Sequence, residues 1–451
     1  MTIVHESTIS QRSMSEEKSG KNKIRLAHEI PKKRRRMIEK ALADHEREAH
    51  PEWDKGAKWG AISFQRKKIE PGTFRTIHFP LLDVSLGNSW PIPVTIIHGK
   101  RPGPKVCVIG GIHGDELTGP SACTHLLSAT LLGEDKALDP ASITGTIIVI
   151  PVVNAPGYQR KIRYFPDGRD LNRQFPGNPK GSTTRRVADR LWTHIFSDVD
   201  GVIDLHSAAK GRTNMPQIRA DLAHPESNLL AKTFGIEVIL DSEPPKGSLR
   251  RTCVDADIPC ITFEGGGADT IEHECVQIAI NGIINSLRSL KMITGKPRRP
   301  KFRLLASGTT WIRSDNGGLL DMHVKCGSIM REKDIIATLA DPAHPGKVAE
   351  ILAPEDGLII SSAINPFITA GMPVAHFLPI SKHLGLFEDK IGPDGRFIIS
   401  GSQDEKIWRD ELEVDEVEVI GADKINDDGG WIDEWLGEQT SQEMTDHEEE
   451  N

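Results

Sequence analysis

Two residues in a glycine-rich segment have the side chains and the spacing of metal ligands. His113 and Glu116 lie three residues apart in GGIHGDEL (110–117), where the neighbouring glycines permit tight backbone turns. An imidazole and a carboxylate are common zinc donors, and a catalytic zinc site needs three protein ligands beside a position left to water. The HxxE pattern alone is weakly specific, so it predicts a metal site only together with a third ligand from elsewhere in the chain.

A histidine at the end of an apolar run supplies this third ligand. His206 ends GVIDLH (201–206), which reads as a buried strand, and it would therefore lie at the carboxyl edge of a sheet. Asp204 lies two residues earlier, on the same face of that strand. Its carboxylate would either orient a ligand imidazole or serve only as a polar group at the end of the strand.

A carboxylate ends a third apolar run. Glu264 lies in CITFEGGG (260–267), where three glycines leave open space around the side chain. This placement favours a general base that takes a proton from a metal-activated water and returns it to the leaving nitrogen. A fourth metal ligand and a structural acid are the alternatives.

A long loop rich in glycine, proline and arginine holds candidate substrate-binding residues. It contains RYFPDGRDLNRQFPG (163–177) and follows a predicted strand. Asn172 and Arg173 suit a substrate carboxylate, because a guanidinium binds it bidentately and an amide adds a donor. Arg163 could polarise the scissile carbonyl and stabilise its oxyanion. Loop arginines that only face solvent are the alternative.

The elements around these residues predict an α/β fold: a mainly parallel mixed sheet with helices on both faces. Short apolar runs alternate with amphipathic stretches, as in βα units, and ligands on such sheets bind at the carboxyl ends of the strands. The predicted strands lie at 105–110, 146–152, 201–205, 236–240 and 260–263, and the predicted helices near 121–132, 184–196, 227–234 and 270–291.

Changes in composition and in the pattern of apolar residues divide the chain into four predicted segments. They are an N-terminal extension (1–70), a catalytic domain (71–296), a small all-β domain (304–380) and an acidic tail (381–451). A break rich in proline and arginine separates the two domains. Short β-like runs separated by glycine, aspartate and proline indicate that the second domain is all β. We expect this domain to form one wall of the active site.

Composition excludes several classes for the 451-residue chain. The net charge is −8, residues 401–451 alone carry three basic and 19 acidic side chains, and the dense basic run Lys32–Arg36 opens a predicted helix at 37–49. This charge distribution is not typical of a nucleic-acid-binding protein, and no apolar run is long enough to cross a membrane. Six scattered cysteines and the lack of an apolar leader predict a cytoplasmic protein.

The four motifs in chain order resemble the succinylglutamate desuccinylase/aspartoacylase family, a branch of the zinc carboxypeptidase superfamily. The resemblance covers about residues 110–267 and implies a zinc carboxypeptidase-like fold with a second, β-rich domain. It also implies one Zn²⁺ per chain, held by His113, Glu116 and His206, with Glu264 as the base.

The resemblance implies substrate contacts as well. Arg163 looks like the arginine that stabilises the oxyanion, and Asn172 with Arg173 looks like the clamp for the substrate carboxylate. Arg250 is the best match for an arginine that reads the substrate side chain, with Arg251 as its rival. A late tyrosine that closes over the substrate in the family has no counterpart, because both tyrosines lie before residue 165.

Together these observations predict a zinc-dependent amidohydrolase that removes an acyl group from a small-molecule N-acyl amino acid or a close relative. A metallocarboxypeptidase acting on peptides shares the chemistry and is the nearest alternative. A metal-binding interaction protein without activity is the alternative from another class. The sequence leaves open the acyl group, the amine and whether the chain forms a homo-oligomer.

Overall fold

The computed structural model describes residues 59–85, 87–131, 138–380, 385, 387, 390–399 and 415–420. The helix predicted at 37–49 lies outside the described residues, as do Lys32–Arg36 and most of the predicted extension and acidic tail. No helix in the described part of the chain is long and apolar enough to cross a membrane.

The described helices and strands, in chain order, are β1 (Ile62–Phe64), β2 (Lys67–Ile69), β3 (Thr73–Asp83), β4 (Ser89–His98), β5 (Arg101–Gly110), α1 (Thr118–Leu131), β6 (Thr144–Ile150), α2 (Ala155–Arg160), α3 (Thr183–His194), β7 (Gly201–His206), β8 (Arg212–Ala220), α4 (Pro225–Phe234), β9 (Val238–Asp241), α5 (Leu249–Asp255), β10 (Cys260–Gly267), α6 (His273–Ser289), β11 (Phe302–Ser307), β12 (Thr310–Arg313), β13 (Gly318–Met322), β14 (Ile329–Met330), β15 (Ile335–Ala340), β16 (Val348–Leu352), β17 (Gly357–Ala363), β18 (Phe367–Ile368), β19 (Pro373–Pro379) and β20 (Asp415–Ile420).

One large mixed sheet organises the molecule, and this confirms the predicted α/β fold. Its main strand order is β12-β19-β17-β8-β10-β7-β5-β6-β4-β3. The central strands β10, β7, β5 and β6 pair in parallel, and antiparallel strands extend the sheet on both sides. The carboxyl ends of β5, β7 and β10 therefore lie at one edge, where the sequence places its metal and base candidates.

Helices cover both faces of this sheet because its central strands are apolar on both sides. On β5, Val106 and Val108 belong to a core that also contains residues of α1, α4 and α6. The alternating residues Cys107 and Ile109 belong to a second core with residues of α3 and α5. Burial on two faces accounts for the continuous apolar runs from which these strands were predicted.

The strands after residue 300 do not all form a separate sheet. Strand β17 pairs with β8, and β19 and β12 continue the large sheet from there. Strands β13, β15, β16 and β18 form a four-stranded antiparallel sheet of their own. The predicted β-rich character of this region is therefore confirmed, and part of it extends the sheet that carries β5, β7 and β10.

Strands β1 and β2 lie inside the segment that was predicted as an extension. They form a hairpin, and Ile69 is buried in a core that also contains residues of β4 and β5. The division of the chain into domains stays a prediction.

Candidate active site

The three predicted metal ligands converge in the structure. His113, Glu116 and His206 are buried, and one donor atom from each lies within 4.8 Å of the others. Nδ1 of His113 lies 2.7 Å from Oε1 of Glu116, and Nδ1 of His206 lies 2.8 Å from Oε2 of the same carboxylate. The fold thus joins two segments that are 90 residues apart.

A tight loop after β5 brings two of these side chains together. Glycine at position 114 is required by packing, because a Cβ there would lie 2.1 Å from the carbonyl carbon of Gly157. The backbone N–H of Glu116 donates to the carbonyl of His113 at 3.4 Å, which closes a turn. The side chains of His113 and Glu116 therefore project from one backbone turn toward the same side.

A carboxylate orients each candidate ligand histidine from behind. Oδ2 of Asp204 lies 2.9 Å from Nε2 of His206, and Oδ1 of Asp170 lies 3.1 Å from Nε2 of His113. Such contacts fix the orientation of each ring and favour a proton on Nε2, the nitrogen that faces the carboxylate. Of the two interpretations of Asp204, the structure supports the orienting one, and Asp170 is a further orienting residue that was not predicted.

The chemistry of this cluster fits a small divalent cation. Nδ1 of His113 is buried and makes no hydrogen bond within the described residues, although the Glu116 oxygen is close. The two atoms are close without hydrogen-bond alignment, as expected for ligands that converge on a shared ion. Two imidazoles and one carboxylate form one of the donor sets found at catalytic zinc sites.

Arg163 lies at the border of the cluster. Its Nη1 donates to Oε1 of Glu116 at 2.9 Å, and its Nη2 contacts Oδ2 of Asp170 at 3.3 Å. Asn154 donates to the backbone carbonyl of Arg163 at 3.0 Å and so anchors the loop. Burial alone would raise the pKa of Asp170. The charges of His113 and Arg163 outweigh this effect and hold the pKa well below its usual range.

Glu264 lies on the strand next to His206. The parallel register of β10 and β7 places the two residues directly opposite each other, so both side chains point to the same face. Asn214 donates to Oε2 of Glu264 at 3.0 Å, and Nε of Arg219 lies 3.9 Å from Oε1. The carboxylate is thus oriented from β8 and points to the face that carries the metal cluster.

The predicted carboxylate clamp lies in the loop that Asp170 anchors. Oδ1 of Asn172 accepts a hydrogen bond from the backbone N–H of Leu249 at 2.9 Å, which ties the loop to the start of α5. Its backbone N–H donates to Asp170. Arg173 is exposed and donates to the carbonyl of Asn172 at 3.0 Å.

The structure distinguishes the two rival arginines on α5. Arg250 is buried and donates to the backbone oxygen and the hydroxyl of Ser242 at 2.8 and 3.1 Å. Burial, with the charge of Arg219 nearby, lowers its pKa to about 10, so it stays charged at neutral pH. Arg251 instead forms surface ion pairs with Glu243 and Asp255. Only Arg250 points inward.

Strand β8 supplies site residues that the sequence analysis missed. Asn214, Gln217 and Arg219 project from it, and the strand was not predicted because its sequence RTNMPQIRA is polar and contains a proline. The alternation of polar and apolar residues from Gln217 to Ala220 was the available signal. Long apolar runs elsewhere gave the stronger indication of strands.

The chain is similar in sequence to a described family of proteins. Residues 102–290 match the sequence model of the succinylglutamate desuccinylase/aspartoacylase catalytic domain. An N-alpha-acetyl-L-2,4-diaminobutyric acid deacetylase from Halomonas elongata is 30% identical over 307 residues, which cover 65% of this chain and 87% of that protein.

Two solved structures share the fold over most of their length. The product-bound ectoine utilization protein EutE (DoeB) from Ruegeria pomeroyi has a TM-score of 0.60 and 26% identity, covering 68% of this chain and 94% of its own. A succinylglutamate desuccinylase/aspartoacylase from Rhodobacter sphaeroides has a TM-score of 0.59 and 25% identity, covering 68% and 95%.

Proposed function

Since this chain belongs to the succinylglutamate desuccinylase/aspartoacylase family, we propose that it is a zinc-dependent deacylase that hydrolyses the amide of an N-acyl amino acid or a related small carboxylate. The observation that carries the proposal is the convergence of His113, Glu116 and His206 beside Glu264 on the adjoining strand. The Halomonas elongata relative is named as a deacetylase, which supports the same reaction class.

One zinc ion would be held by Nδ1 of His113, a carboxylate oxygen of Glu116 and Nδ1 of His206. When bound there, zinc would polarise the scissile carbonyl and make water more acidic. The carboxylates of Asp170 and Asp204 would keep both imidazoles in the tautomer that offers Nδ1 to the metal.

Glu264 would act as the proton carrier. It takes a proton from the attacking water and delivers it to the amide nitrogen as the carbon–nitrogen bond breaks. The hydrogen bond from Asn214 and the nearby guanidinium of Arg219 hold its carboxylate on the correct face. Arg163 would donate to the oxyanion that forms during the attack, a role that its place beside Glu116 supports.

Substrate binding would involve the neighbouring loop and helix α5. The amide nitrogen of Asn172 and the guanidinium of Arg173 would bind the substrate carboxylate, because the side-chain oxygen of Asn172 is already used to hold Leu249. The inward position of Arg250 supports its role toward the substrate side chain. Esters or amides of the substrate carboxylate should therefore be poor substrates.

Release of primary amine tests the proposal. The assay would compare zinc-loaded and chelator-stripped protein on N-acetyl and N-succinyl amino acids and on short peptides. We expect metal-dependent release from an N-acyl amino acid, its loss in His206→Ala, and its retention in His125→Ala, which changes an exposed histidine of α1. Cleavage of peptides alone would indicate a carboxypeptidase, and no release with zinc still bound would support the binding-protein alternative.

A further inference from the structure

The loop between α2 and α3, together with the adjoining ends of both helices, carries an excess of positive charge. Residues 160–186 contain eight arginines and lysines and two acidic residues. Both acidic side chains are already engaged. Asp167 accepts a hydrogen bond from the backbone N–H of Thr184 at 3.1 Å, and Asp170 orients His113. Five exposed basic side chains of this segment form what we call the basic surface: Arg169, Arg173, Lys180, Arg185 and Arg186.

Hydrogen bonds at the start of α3 keep the basic side chains close together. Nε of Arg185 donates to Oε1 of Gln174 at 3.1 Å. Nε of Arg186 donates to the backbone carbonyl of Gly181 at 2.9 Å. Gln174 and Gly181 each directly follow a member of the basic surface in the chain. Helix α3 and the loop before it therefore present their cations on one surface.

The basic surface has little negative charge of its own to balance it. Among the described residues, Arg169 forms an ion pair with Asp167 at 3.5 Å, and the other four members of the surface form none. Neighbouring cations without counter-charges create a positive potential that attracts an anionic partner. The surface also borders the proposed active site, because Arg173 directly follows Asn172 in the predicted carboxylate clamp.

The sequence after β20 has the chemistry of such a partner. Residues 427–450, which we call the acidic segment, contain ten acidic side chains and no lysine or arginine, and they include Trp431 and Trp435. A carboxylate pairs bidentately with a guanidinium, and an indole ring stacks on one. Four of the five members of the basic surface are arginines, so the acidic segment offers both groups that suit this surface.

The chain after β20 is long enough to reach the basic surface. Strand β20 lies seven strand spacings from β6, after which the loop begins, and this corresponds to about 34 Å at about 4.8 Å per spacing. Because β20 runs opposite to β6, the chain must also return along one strand, or about 20 Å. Residues 433–450 follow Ile420, the end of β20, by 13 to 30 residues, which span about 43 to 99 Å when extended. The acidic segment can therefore contact the surface.

We propose that the acidic segment binds the basic surface of the same chain and competes there with the carboxylate of the substrate. Arg173 belongs to both the surface and the predicted clamp, so a carboxylate of the acidic segment bound to it excludes a substrate carboxylate. The covalent link raises the local concentration of the segment, which favours its own chain over a second copy in dilute solution. The contact stands apart from the proposed deacylase function, whereas its effect on the substrate rests on that function.

Carbodiimide crosslinking of the full chain tests the contact without any need for activity. The reagent joins a carboxylate to a lysine amine in contact with it, and mass spectrometry identifies the linked residues. We expect Lys180 to be linked to the acidic segment at low ionic strength. The yield should fall at about 0.5 M NaCl, where the Debye length is about 4 Å. The ion pair of Lys105 with Asp198, at 2.7 Å, is an internal control that links in every low-salt sample.

Paired charge reversals identify the surface that is bound. In Arg185→Glu/Arg186→Glu the yield should fall by about 10-fold or more, because each exposed ion pair contributes up to about fivefold to an equilibrium constant. Lys67→Glu/Lys68→Glu makes the same charge change at exposed residues of β2 and should leave the yield unchanged. No link to the acidic segment beside an intact internal control, or an equal loss in both double variants, would overturn the proposal. In a mixture of ¹⁵N-labelled and unlabelled protein, links between labelled and unlabelled copies would overturn the same-chain assignment.

Substrate kinetics test the competition separately. On zinc-loaded enzyme, the triple change Asp433→Asn, Glu434→Gln and Glu438→Gln should lower KM for the hydrolysed N-acyl amino acid several-fold and leave kcat unchanged. Asp321→Asn with Glu350→Gln removes exposed charges from the four-stranded sheet and should leave KM as it is. An unchanged KM in the triple variant would overturn the competition. If nothing is hydrolysed, the deacylase proposal fails, and the crosslink alone decides whether the contact exists.

Discussion

At the scale of single residues, carboxylates lie behind both candidate ligand histidines. Asp170 and Asp204 each contact the far nitrogen of a candidate ligand imidazole. Asp204 could be anticipated because it lies two residues from His206 on one strand. Asp170 could not, because its partner His113 is 57 residues away and only the folded loop brings the two together.

Replacement of Asp170 by asparagine should weaken metal binding without unfolding the protein. The amide keeps the shape but loses the charge that orients His113 and pairs with Arg163. We expect zinc affinity to fall by about 10- to 100-fold, as for other changes behind a metal ligand. Competition with a chelator of known affinity measures the change. Asp198→Asn, at an exposed ion pair with Lys105, is the control; equal affinity in both variants would contradict the role.

At the scale of elements, apolar runs identified the buried strands β5, β6, β7 and β10, and the candidate site residues His206 and Glu264 lie toward the carboxyl ends of β7 and β10. Strand β8 escaped because one of its faces is polar and it contains Pro216, which argued against a strand in mid-sheet. The pairing of β17 with β8 was also unpredictable, since it joins segments about 150 residues apart. Sequence patterns identify strands, but non-local pairing depends on packing.

Substitution of Gly114 by alanine tests the packing of the ligand loop. A Cβ at this position would overlap the backbone between Gly157 and Tyr158, which cannot yield as a flexible side chain would. The loop must then shift and carry His113 and Glu116 away from His206. We expect Gly114→Ala to fold with reduced zinc content by mass spectrometry, whereas Gly60→Ala, where the added methyl meets open space, keeps it. Full zinc occupancy in Gly114→Ala would show that zinc binding does not depend on the exact position of this loop.

At the scale of the whole molecule, a bound metal would join the loop after β5 to the end of β7. The ligands of the proposed site come from segments that contact only in the folded chain. An ion that binds this arrangement and not the unfolded chain stabilises the native state by mass action. The oligomeric state, the division into domains and the cytoplasmic location stay predictions.

Zinc should therefore raise the melting temperature of chelator-stripped protein. The rise should depend on zinc concentration and be absent in His206→Ala, while His125→Ala retains it. Magnesium should have little effect, because it prefers oxygen ligands in octahedral geometry over imidazole. Differential scanning fluorimetry provides the measurement. An equal rise in His206→Ala would place the stabilising zinc at another site.

Zinc content and turnover measured together in Glu264→Gln would test the proposed roles of the metal ligands and the base. The amide preserves the size of the side chain and its contact with Asn214 but cannot accept a proton from water. We expect one zinc per chain and a loss of kcat of about 100-fold or more, the range for removal of a general base. Loss of zinc from the variant would show that Glu264 is a ligand, and undiminished turnover would show that another group is the base.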